Sequence, residues 1–479
     1  MLKICFYLLT FFASQIAFAQ TTGKFSTDYH IEVRFTDVAD QEAMLAYYLG
    51  SKQYVADTVD INGQGVATFT DNGTDTLYHG IYLIYLPKQN KYFEFLFTEP
   101  KVVLQTSIEN PVKDMNVIQS EENKLFIKYL NFLSEARIRA ENLRSQLENS
   151  SSTDSVAITQ KLSAIDVEVQ NYISGFIEQH KGTFAAKTVK ANQQIEIPNP
   201  PENLSTTDEK RQFQYEYYYE HYWDNTDLTD DRIILSPWFE QRIDTYLNKL
   251  TIQHPDSLIK TAERVIALTN GNKYVKRYVV QYITNQYASS KLMTAESVYV
   301  YMVNNYYTKE KAWWIDDNTL YKMQRRANAL EPLLIGKKLP NFILESPQGK
   351  LVNLQNELGK YSVLFFYDPT CGHCKKDAPK MEEVRQSLAD MGVAFWGVAL
   401  DIENSKEGID KWKQFIEEKG LEKWQNVADL QGNYALLARY DIRSTPMVYV
   451  IDKEGEIILK RIGADQLGKV LEDVIERNK

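Results

Sequence analysis

The C-terminal third of the chain contains the stretch Ser362–Asp390, SVLFFYDPTCGHCKKDAPKMEEVRQSLAD. It begins with a continuous apolar run, residues 362–367, which is typical of a strand buried on both faces of a sheet. Cys371 and Cys374 follow, and after them comes a segment of helical spacing, residues 375–390. A buried strand that leads directly into a helix predicts an α/β domain, with the two cysteines at the junction.

The sequence beyond this stretch continues the same alternation. We predict a second buried strand, a helix, a short helix, two more strands and a terminal helix; in chain order these are residues 393–400, 406–419, 433–439, 447–451 and 457–461, and the helix from 465 onward. Strands that alternate with helices are typical of α/β folds. We therefore expect an α/β domain over residues 335–479.

The N-terminal part of the chain has strand patterning instead. Short runs there alternate apolar and polar residues, which predicts strands, at 30–35, 53–61, 66–70, 80–86, 92–97 and 102–108. The dipeptides Asn62-Gly63 and Asn72-Gly73 lie between runs and predict turns. We expect an antiparallel β-sandwich-like domain over residues 25–112.

The central part of the chain changes to helical spacing. Apolar residues recur three and four positions apart, as in Leu125, Tyr129 and Phe132, and the sequence predicts an all-α domain over residues 120–334. An acidic stretch, residues 224–231, lacks the glycine and the terminal glutamate of a calcium loop. We expect a solvated loop there, and no metal site.

The first 19 residues are typical of a secretory signal peptide. Lys3 precedes the apolar run 4–12, and Ala17-Phe18-Ala19 forms a small-x-small cleavage pattern. No later segment reaches the roughly 18 uninterrupted apolar residues that a spanning helix needs. We expect export to the periplasm without stable membrane insertion. The formal net charge of -10, with no cluster of basic residues, argues against nucleic acid as a partner.

The cysteines are more informative than their number suggests. The chain has three, and one of them, Cys5, lies inside the expected signal peptide. A bridge between Cys371 and Cys374 would close a very small loop and would stabilise little. A zinc site would need two further ligands, and a C-x-x-C-H haem attachment would need histidine where Lys375 stands. Thiol–disulfide exchange is the favoured chemistry, with the redox-active disulfide in place of any cofactor.

The position of the pair predicts a different role for each sulfur. The positive end of the helix dipole favours a thiolate at Cys371, so Cys371 should attack a disulfide and Cys374 should resolve the mixed disulfide. His373 and the lysines that follow Cys374 would add to this effect. Asp377, at i+3 from Cys374, is the candidate general base, and an exposed helix acid is the alternative.

Several separate elements in this region resemble the TlpA/ResA-like thioredoxin-fold proteins of the bacterial envelope. They are Ile335 to Phe342, Gly349-Lys350, Gly359-Lys360-Tyr361 and the Cys371-Gly372-His373-Cys374 motif, and the resemblance covers about the last 145 residues.

The resemblance implies a thioredoxin fold and roles for particular residues. Pro379 matches the proline that kinks the active-site helix, and Asp377 matches the acidic position that serves ResA-like members. Thr445-Pro446 matches the cis-proline loop, which in this fold faces the cysteines and pairs with the backbone of the substrate.

The sequence also departs from related patterns. Phe365 stands where thioredoxins carry a buried acid, and Thr370 where a tryptophan usually precedes the first cysteine. Gly372-His373 resembles protein disulfide isomerase, whose dithiol is more oxidising. A peroxidase is disfavoured because Leu364 and Asp368 occupy positions where peroxiredoxins require proline and a hydroxyl residue.

Together these observations predict a periplasmic thiol:disulfide oxidoreductase that reduces disulfide-containing envelope proteins. With one dithiol it would need a membrane thiol electron donor, as the resemblance implies. An isomerase or oxidase is one alternative. Another is a client-binding protein with an accessory thioredoxin domain, since the upstream region resembles uncharacterised domains that are fused to such proteins.

Overall fold

The computed structural model of the chain describes residues 25–26, 28–71, 76–148, 152–290 and 292–477. The expected signal peptide over residues 1–19 and the expected turn at Asn72-Gly73 lie outside the described residues. Two compact units are present. One comprises residues 1–252 and 260–279, and the other comprises residues 253–259 and 280–479. The finer division into domains at residues 112, 120 and 335 stays a prediction.

The first unit begins with ten strands. In chain order they are β1 (Phe25–Ser26), β2 (His30–Phe35), β3 (Gln41–Leu49), β4 (Lys52–Ile61), β5 (Val66–Thr70), β6 (Leu77–Tyr78), β7 (Gly80–Leu86), β8 (Lys91–Phe97), β9 (Lys101–Thr106) and β10 (Asn116–Gln119). They form a sheet of order β10-β9-β2-β5, a sheet of order β4-β3-β7-β8 and the small pair β1-β6. The predicted strand-rich domain is confirmed.

The sequence does not predict strands β1, β3, β6 and β10, and one strand pair runs in a different direction from the prediction. Strand β3 was not predicted, because its register shifts between Leu45 and Ala46 and so places two buried residues in succession. A bulge of this kind breaks the alternation on which the prediction rests. Strand β2 pairs with β9 in parallel, whereas every pair was expected to be antiparallel. The roughly 65 residues between these two strands are long enough for the crossover that parallel pairing requires.

Helices follow the strands, as the sequence predicts. They are α1 (Glu121–Glu148), α2 (Ser152–Gln179), α3 (Phe184–Ala191), α4 (Thr207–His221) and α5 (Phe239–Asn248), with α6 (Pro255–Leu268) and α7 (Lys273–Ser289) running through the division between the units. None of the helices among the described residues is both long and apolar enough to cross a membrane.

The acidic stretch 224–231 is only in part the solvated loop that we expected: Asp224 and Asp227 are exposed, but its last two residues are buried. Asp230 and Asp231 are each only 5% exposed. Lys187 lies 2.7 Å from the Asp230 carboxylate and Arg232 lies 2.6 Å from it. Despite burial, these cations hold the pKa of Asp230 well below its usual range. A buried carboxylate needs such partners. The pairing of Asp230 with Lys187 cannot be predicted from the sequence, because the two residues are more than 40 positions apart.

The second unit contains a mixed seven-stranded sheet. Its strands are β11 (Ile343–Glu345), β12 (Leu351–Asn353), β13 (Tyr361–Tyr367), β14 (Val393–Ala399), β15 (Gln425–Ala428), β16 (Met447–Asp452) and β17 (Ile457–Lys460), in the order β12-β11-β15-β14-β13-β16-β17. Its helices are α8 (Ala295–Tyr306), α9 (Asp317–Leu330), α10 (Gly372–Ser387), α11 (Lys406–Lys419), α12 (Leu436–Arg439) and α13 (Ala464–Arg477). The predicted α/β thioredoxin-like fold is confirmed.

Strand β13 lies inside this sheet and positions the cysteines. It pairs with β14 in parallel and with β16 antiparallel, and all seven of its residues are buried. Val363, Phe365 and Tyr367 face one core cluster, while Leu364 and Phe366 face the other. Because side chains alternate along a strand, an uninterrupted apolar run is what two covered faces require.

Candidate active site

The loop after β13 places Cys371 at the start of helix α10. The Asp368 carboxylate accepts hydrogen bonds from the backbone N–H of Thr370 at 2.7 Å and from its hydroxyl at 2.8 Å. The N–H of Cys371 donates to the Asp368 carbonyl at 3.1 Å. Cys371 is the N-cap residue of α10, with extended backbone dihedral angles. Its sulfur therefore lies where the unpaired N–H groups and the positive end of the helix dipole favour a thiolate.

The two sulfurs of the pair have different surroundings. Both cysteines are free thiols; Cys374 is fully buried, whereas Cys371 is partly exposed. A hydrogen bond with the Thr445 side chain, helped by the N–H groups of Cys374 and His373, lowers the pKa of the Cys371 thiol against the effect of desolvation. Burial raises the pKa of the Cys374 thiol to about 11. One sulfur is thus disposed to attack and the other stays protonated and shielded.

Thr445 meets the cysteines at the other side of the site. The Thr445–Pro446 peptide bond is cis. The Cys371 thiol donates to the backbone carbonyl of Thr445 at 3.5 Å. The structure therefore brings together Cys371, Cys374 and Thr445-Pro446. Residue patterning contains no sign of this contact, because Cys371 and Thr445 are 74 residues apart in the chain.

The remaining expected site residues lie on α10. The Asp377 carboxylate is half-buried and 3.6 Å from the ammonium group of Lys380. Pro379 lies inside the helix, and His373 is exposed. Gly372 is also exposed, and a Cβ built there would have no other atom within 4 Å. Local packing therefore does not demand glycine at this position.

Aromatic side chains pack in the same core cluster as the buried sulfur of Cys374. Phe365, which stands where thioredoxins carry an acid, stacks on Tyr367 at 5.6 Å between ring centroids. The Tyr367 hydroxyl accepts a hydrogen bond from the indole N–H of Trp412 at 2.9 Å. Burial raises the pKa of Tyr367 well above its usual range, so this hydroxyl stays neutral. This hydroxyl cannot be recognised from the sequence, because Tyr367 ends an apolar run and is indistinguishable there from a packing residue.

The donor groups of the site do not fit a metal centre. Within the described ranges, no cluster of three or more His, Cys, Asp or Glu side chains is arranged to hold a metal ion.

Comparison with known proteins supports a redox role. Residues 335–460 match the AhpC/TSA family, and residues 144–331 match a domain of unknown function, DUF5106. A thiol-disulfide oxidoreductase ResA from Bacillus cereus is 29% identical over 147 residues, which cover 31% of this chain and 80% of ResA. ResA of Bacillus subtilis is also 29% identical, over 128 residues that cover 27% of this chain and 67% of that protein.

A solved thioredoxin-like protein from Bacteroides caccae covers 60% of this chain and 99% of its own, at 18% identity and a TM-score of 0.46. The fold, the dithiol and the ResA relatives define a thioredoxin-like oxidoreductase: the protein is a thiol-disulfide oxidoreductase. Its residues 335–460 match the AhpC/TSA family, and the domains upstream are of unknown function.

Proposed function

We propose that this protein is a periplasmic oxidoreductase that reduces the disulfides of envelope proteins through Cys371 and Cys374. The inequality of the two sulfurs carries the proposal: the partly exposed Cys371 thiol has a lowered pKa, and the buried Cys374 thiol has a pKa of about 11. A thiolate is the attacking species in disulfide exchange, so the first sulfur is suited to attack and the second to wait.

The reaction proceeds in two exchanges. The Cys371 thiolate attacks one sulfur of the client disulfide, which forms a Cys371–client bond and releases the other client sulfur as a thiolate that takes up a proton. Cys374 then loses its proton and attacks Cys371. This step closes the Cys371–Cys374 disulfide and frees the second client thiol. Two electrons pass from the protein to the client.

Three residues assist these exchanges. Asp377 takes the proton of Cys374, as the corresponding acid does in the ResA-like proteins that this region resembles. Thr445 and Pro446 bind the client backbone beside Cys371, which the contact of 3.5 Å between Cys371 and the Thr445 carbonyl supports. Gly372, His373 and Pro379 set the shape and charge of the helix start.

Regeneration requires a partner. The only other cysteine of the chain is Cys5, in the expected signal peptide, so the oxidised protein cannot reduce itself. A membrane thiol electron donor would return two electrons to the Cys371–Cys374 disulfide. The expected signal peptide over residues 1–19 supports a periplasmic site for this exchange.

One observation favours a second function, that of an isomerase or oxidase. A nucleophilic thiol whose pKa is low stabilises the reduced form of the dithiol and makes the disulfide more oxidising. The lowered pKa of Cys371, together with the Gly372-His373 pair, points in this direction.

The reduction potential decides between these functions. The full chain is equilibrated with defined thiol buffers and its free thiols are counted. A value near -270 mV, as in thioredoxin, is the expected result, whereas a value between about -180 and -120 mV assigns the protein to the isomerases or oxidases. A pair without any reversible transition would favour the client-binding alternative, which also predicts undiminished client binding by a variant with both cysteines replaced by serine.

A further inference from the structure

A buried ion pair joins helix α8 to the last residue of strand β17. The Glu296 carboxylate on α8 contacts the ammonium group of Lys460. Glu296 is 6% exposed and Lys460 is 1% exposed. The ammonium group also donates to the Leu333 carbonyl at 2.6 Å. Burial lowers the pKa of Lys460, which shows the cost of keeping a charge there. Such pairs add little net stability compared with an apolar packing, so their presence calls for a further reason.

The second oxygen of Glu296 extends the contact to a neighbouring cation. Nη1 of Arg461 lies 2.6 Å from Oε1 of Glu296, and Nη2 of Arg461 lies 2.8 Å from Oδ2 of Asp441. Both Arg461 and Asp441 have left-handed backbone conformations, with φ of 58° and 46°. For residues other than glycine, the left-handed backbone conformation costs free energy, and it persists only where surrounding contacts stabilise it. The shared guanidinium group supplies such a contact to both residues.

Asp441 begins the segment that ends at the site. Its other oxygen accepts from Nε of Arg443 at 3.0 Å, and the buried Ile442 between them ties the segment to the chain by donating its N–H to the Leu437 carbonyl at 2.8 Å. Four residues after Asp441 comes Thr445, which contacts the sulfur of Cys371. Ion pairs therefore lead from Glu296 to Asp441, and the backbone of residues 441–445 leads on to the contact with the attacking thiol.

We propose that Glu296 is a positioning residue for the dithiol, which acts through Arg461 and Asp441 to hold segment 441–446 so that Thr445 meets Cys371. The residue lies 39 positions before Ile335, in a part of the chain to which neither the ResA relatives nor the AhpC/TSA match assigns a role. The inference deepens the proposed function by naming what sets the geometry of that site.

The test uses full-length, reduced protein and three variants. Glu296→Gln removes the charge that Arg461 and Lys460 share. Arg461→Met breaks the link to Asp441 at a half-exposed position. The double variant Glu296→Gln/Lys460→Met removes the buried charges together, so that no ion is left buried without a partner. Glu407→Gln, which breaks an exposed pair with Lys411 on α11, is the matched control.

The readout is the rate at which iodoacetamide alkylates Cys371 as a function of pH, with urea unfolding measured in parallel. We expect the midpoint of the profile to rise and the rate at pH 7 to fall at least about threefold in Glu296→Gln and Arg461→Met, a typical size for coupling through such contacts. The double variant should recover the unfolding midpoint of the wild type but not its alkylation profile. The control should match the wild type in both.

Other outcomes overturn the inference. If the double variant regains the alkylation profile together with stability, Glu296 is merely structural. If Arg461→Met leaves the alkylation profile unchanged, the contact between Arg461 and Asp441 does not affect the reactivity of Cys371. The alkylation assay needs no client, so its result stands apart from the proposed function. A wild-type chain that alkylates normally but reduces no disulfide contradicts the proposed function and not this inference.

Discussion

The indole N–H of Trp412 donates a hydrogen bond to the Tyr367 hydroxyl at 2.9 Å, and neither side chain is exposed at all. Tyr367 ends the strand that leads to the cysteines, and it shares a core cluster with Cys374. Phe365 stands where a thioredoxin keeps an ionisable acid, and the neutral hydroxyl of Tyr367 lies two residues further along the strand. Its partner comes from helix α11.

Replacement of Tyr367 by phenylalanine should destabilise the protein, because it removes the hydrogen bond between Trp412 and the Tyr367 hydroxyl. The indole N–H of Trp412 would stay buried without an acceptor, which costs about 1–3 kcal/mol in the free energy of unfolding. Urea unfolding at pH 7 measures the loss. Tyr321→Phe, at a side chain that is 60% exposed, is the control and should change nothing. Equal stability of both variants would mean that the bond contributes nothing.

The Thr445 hydroxyl should control the acidity of the attacking thiol. Thr445→Val keeps the branched shape and the backbone carbonyl but removes the hydrogen bond that lowers the pKa of Cys371. We expect that pKa to rise, since a hydrogen bond to a charged group contributes about 1.5 kcal/mol or more to the stability of the thiolate. The ultraviolet absorbance of the thiolate against pH, in a Cys374→Ser background, measures it. Thr445→Ser should behave as the wild type, and an unchanged pKa in Thr445→Val would exclude this role.

Asp377 should be needed for the second exchange and not for the first. Asp377→Asn removes a base that would take the proton of Cys374, whose pKa of about 11 leaves it protonated at pH 7. General-base catalysis of this kind is typically worth about a hundredfold or more in rate. Stopped-flow release of the second client thiol measures it, and Asp390→Asn, at an exposed acid, is the control. If both variants resolve the mixed disulfide at the wild-type rate, Asp377 is only an exposed helix acid that pairs with Lys380.

Glu382 should make part of the stability depend on pH. It accepts hydrogen bonds from Arg385 at 2.8 Å and from the indole N–H of Trp424 at 2.7 Å. Although burial raises the pKa of Glu382, these bonds outweigh it and lower the value from 4.5 to about 2. A lowered pKa in the folded state gives stability that is complete above about pH 4.5 and is lost as the pH falls towards 2.

Glu382→Gln should therefore lower the free energy of unfolding by about 1–3 kcal/mol at pH 7 and by much less at pH 2. Unfolding at the two pH values measures this, with the exposed neighbour Glu383→Gln as the control. A loss of the same size at both pH values would show that the charge of Glu382 does not matter.

The sequence predicts strands β13, β14, β16 and β17 of the second unit because their signals are local, and it misses the shorter strands β11, β12 and β15. The apolar run at β13 and the cysteine pair beside it can be recognised without a partner elsewhere in the chain. Strand β3 was missed because a bulge at Leu45 and Ala46 interrupts its alternation. The resemblance to ResA-like proteins, not the residue pattern, placed Thr445-Pro446 opposite the cysteines.

The interactions that were not predicted join residues far apart in the chain. Glu296 and Lys460 are separated by 164 residues, and nothing near either residue marks it as buried. Asp230 was expected in solvent for the same reason, because its partner Lys187 lies 43 residues away in the chain, on helix α3. Charged residues are normally exposed, so patterning places them at the surface unless a partner is known. Only the folded chain supplies that partner.

The most direct test of the central claim is the trapping of a mixed disulfide. Full-length Cys374→Ser and Cys371→Ser variants are reduced, incubated with a disulfide-containing peptide, quenched with acid and analysed by mass spectrometry without reductant. If Cys371 attacks and Cys374 resolves, Cys374→Ser accumulates a stable adduct on Cys371, while Cys371→Ser, whose remaining thiol is buried with a raised pKa, forms almost none. Equal adducts in both variants, or an adduct only in Cys371→Ser, would contradict the account.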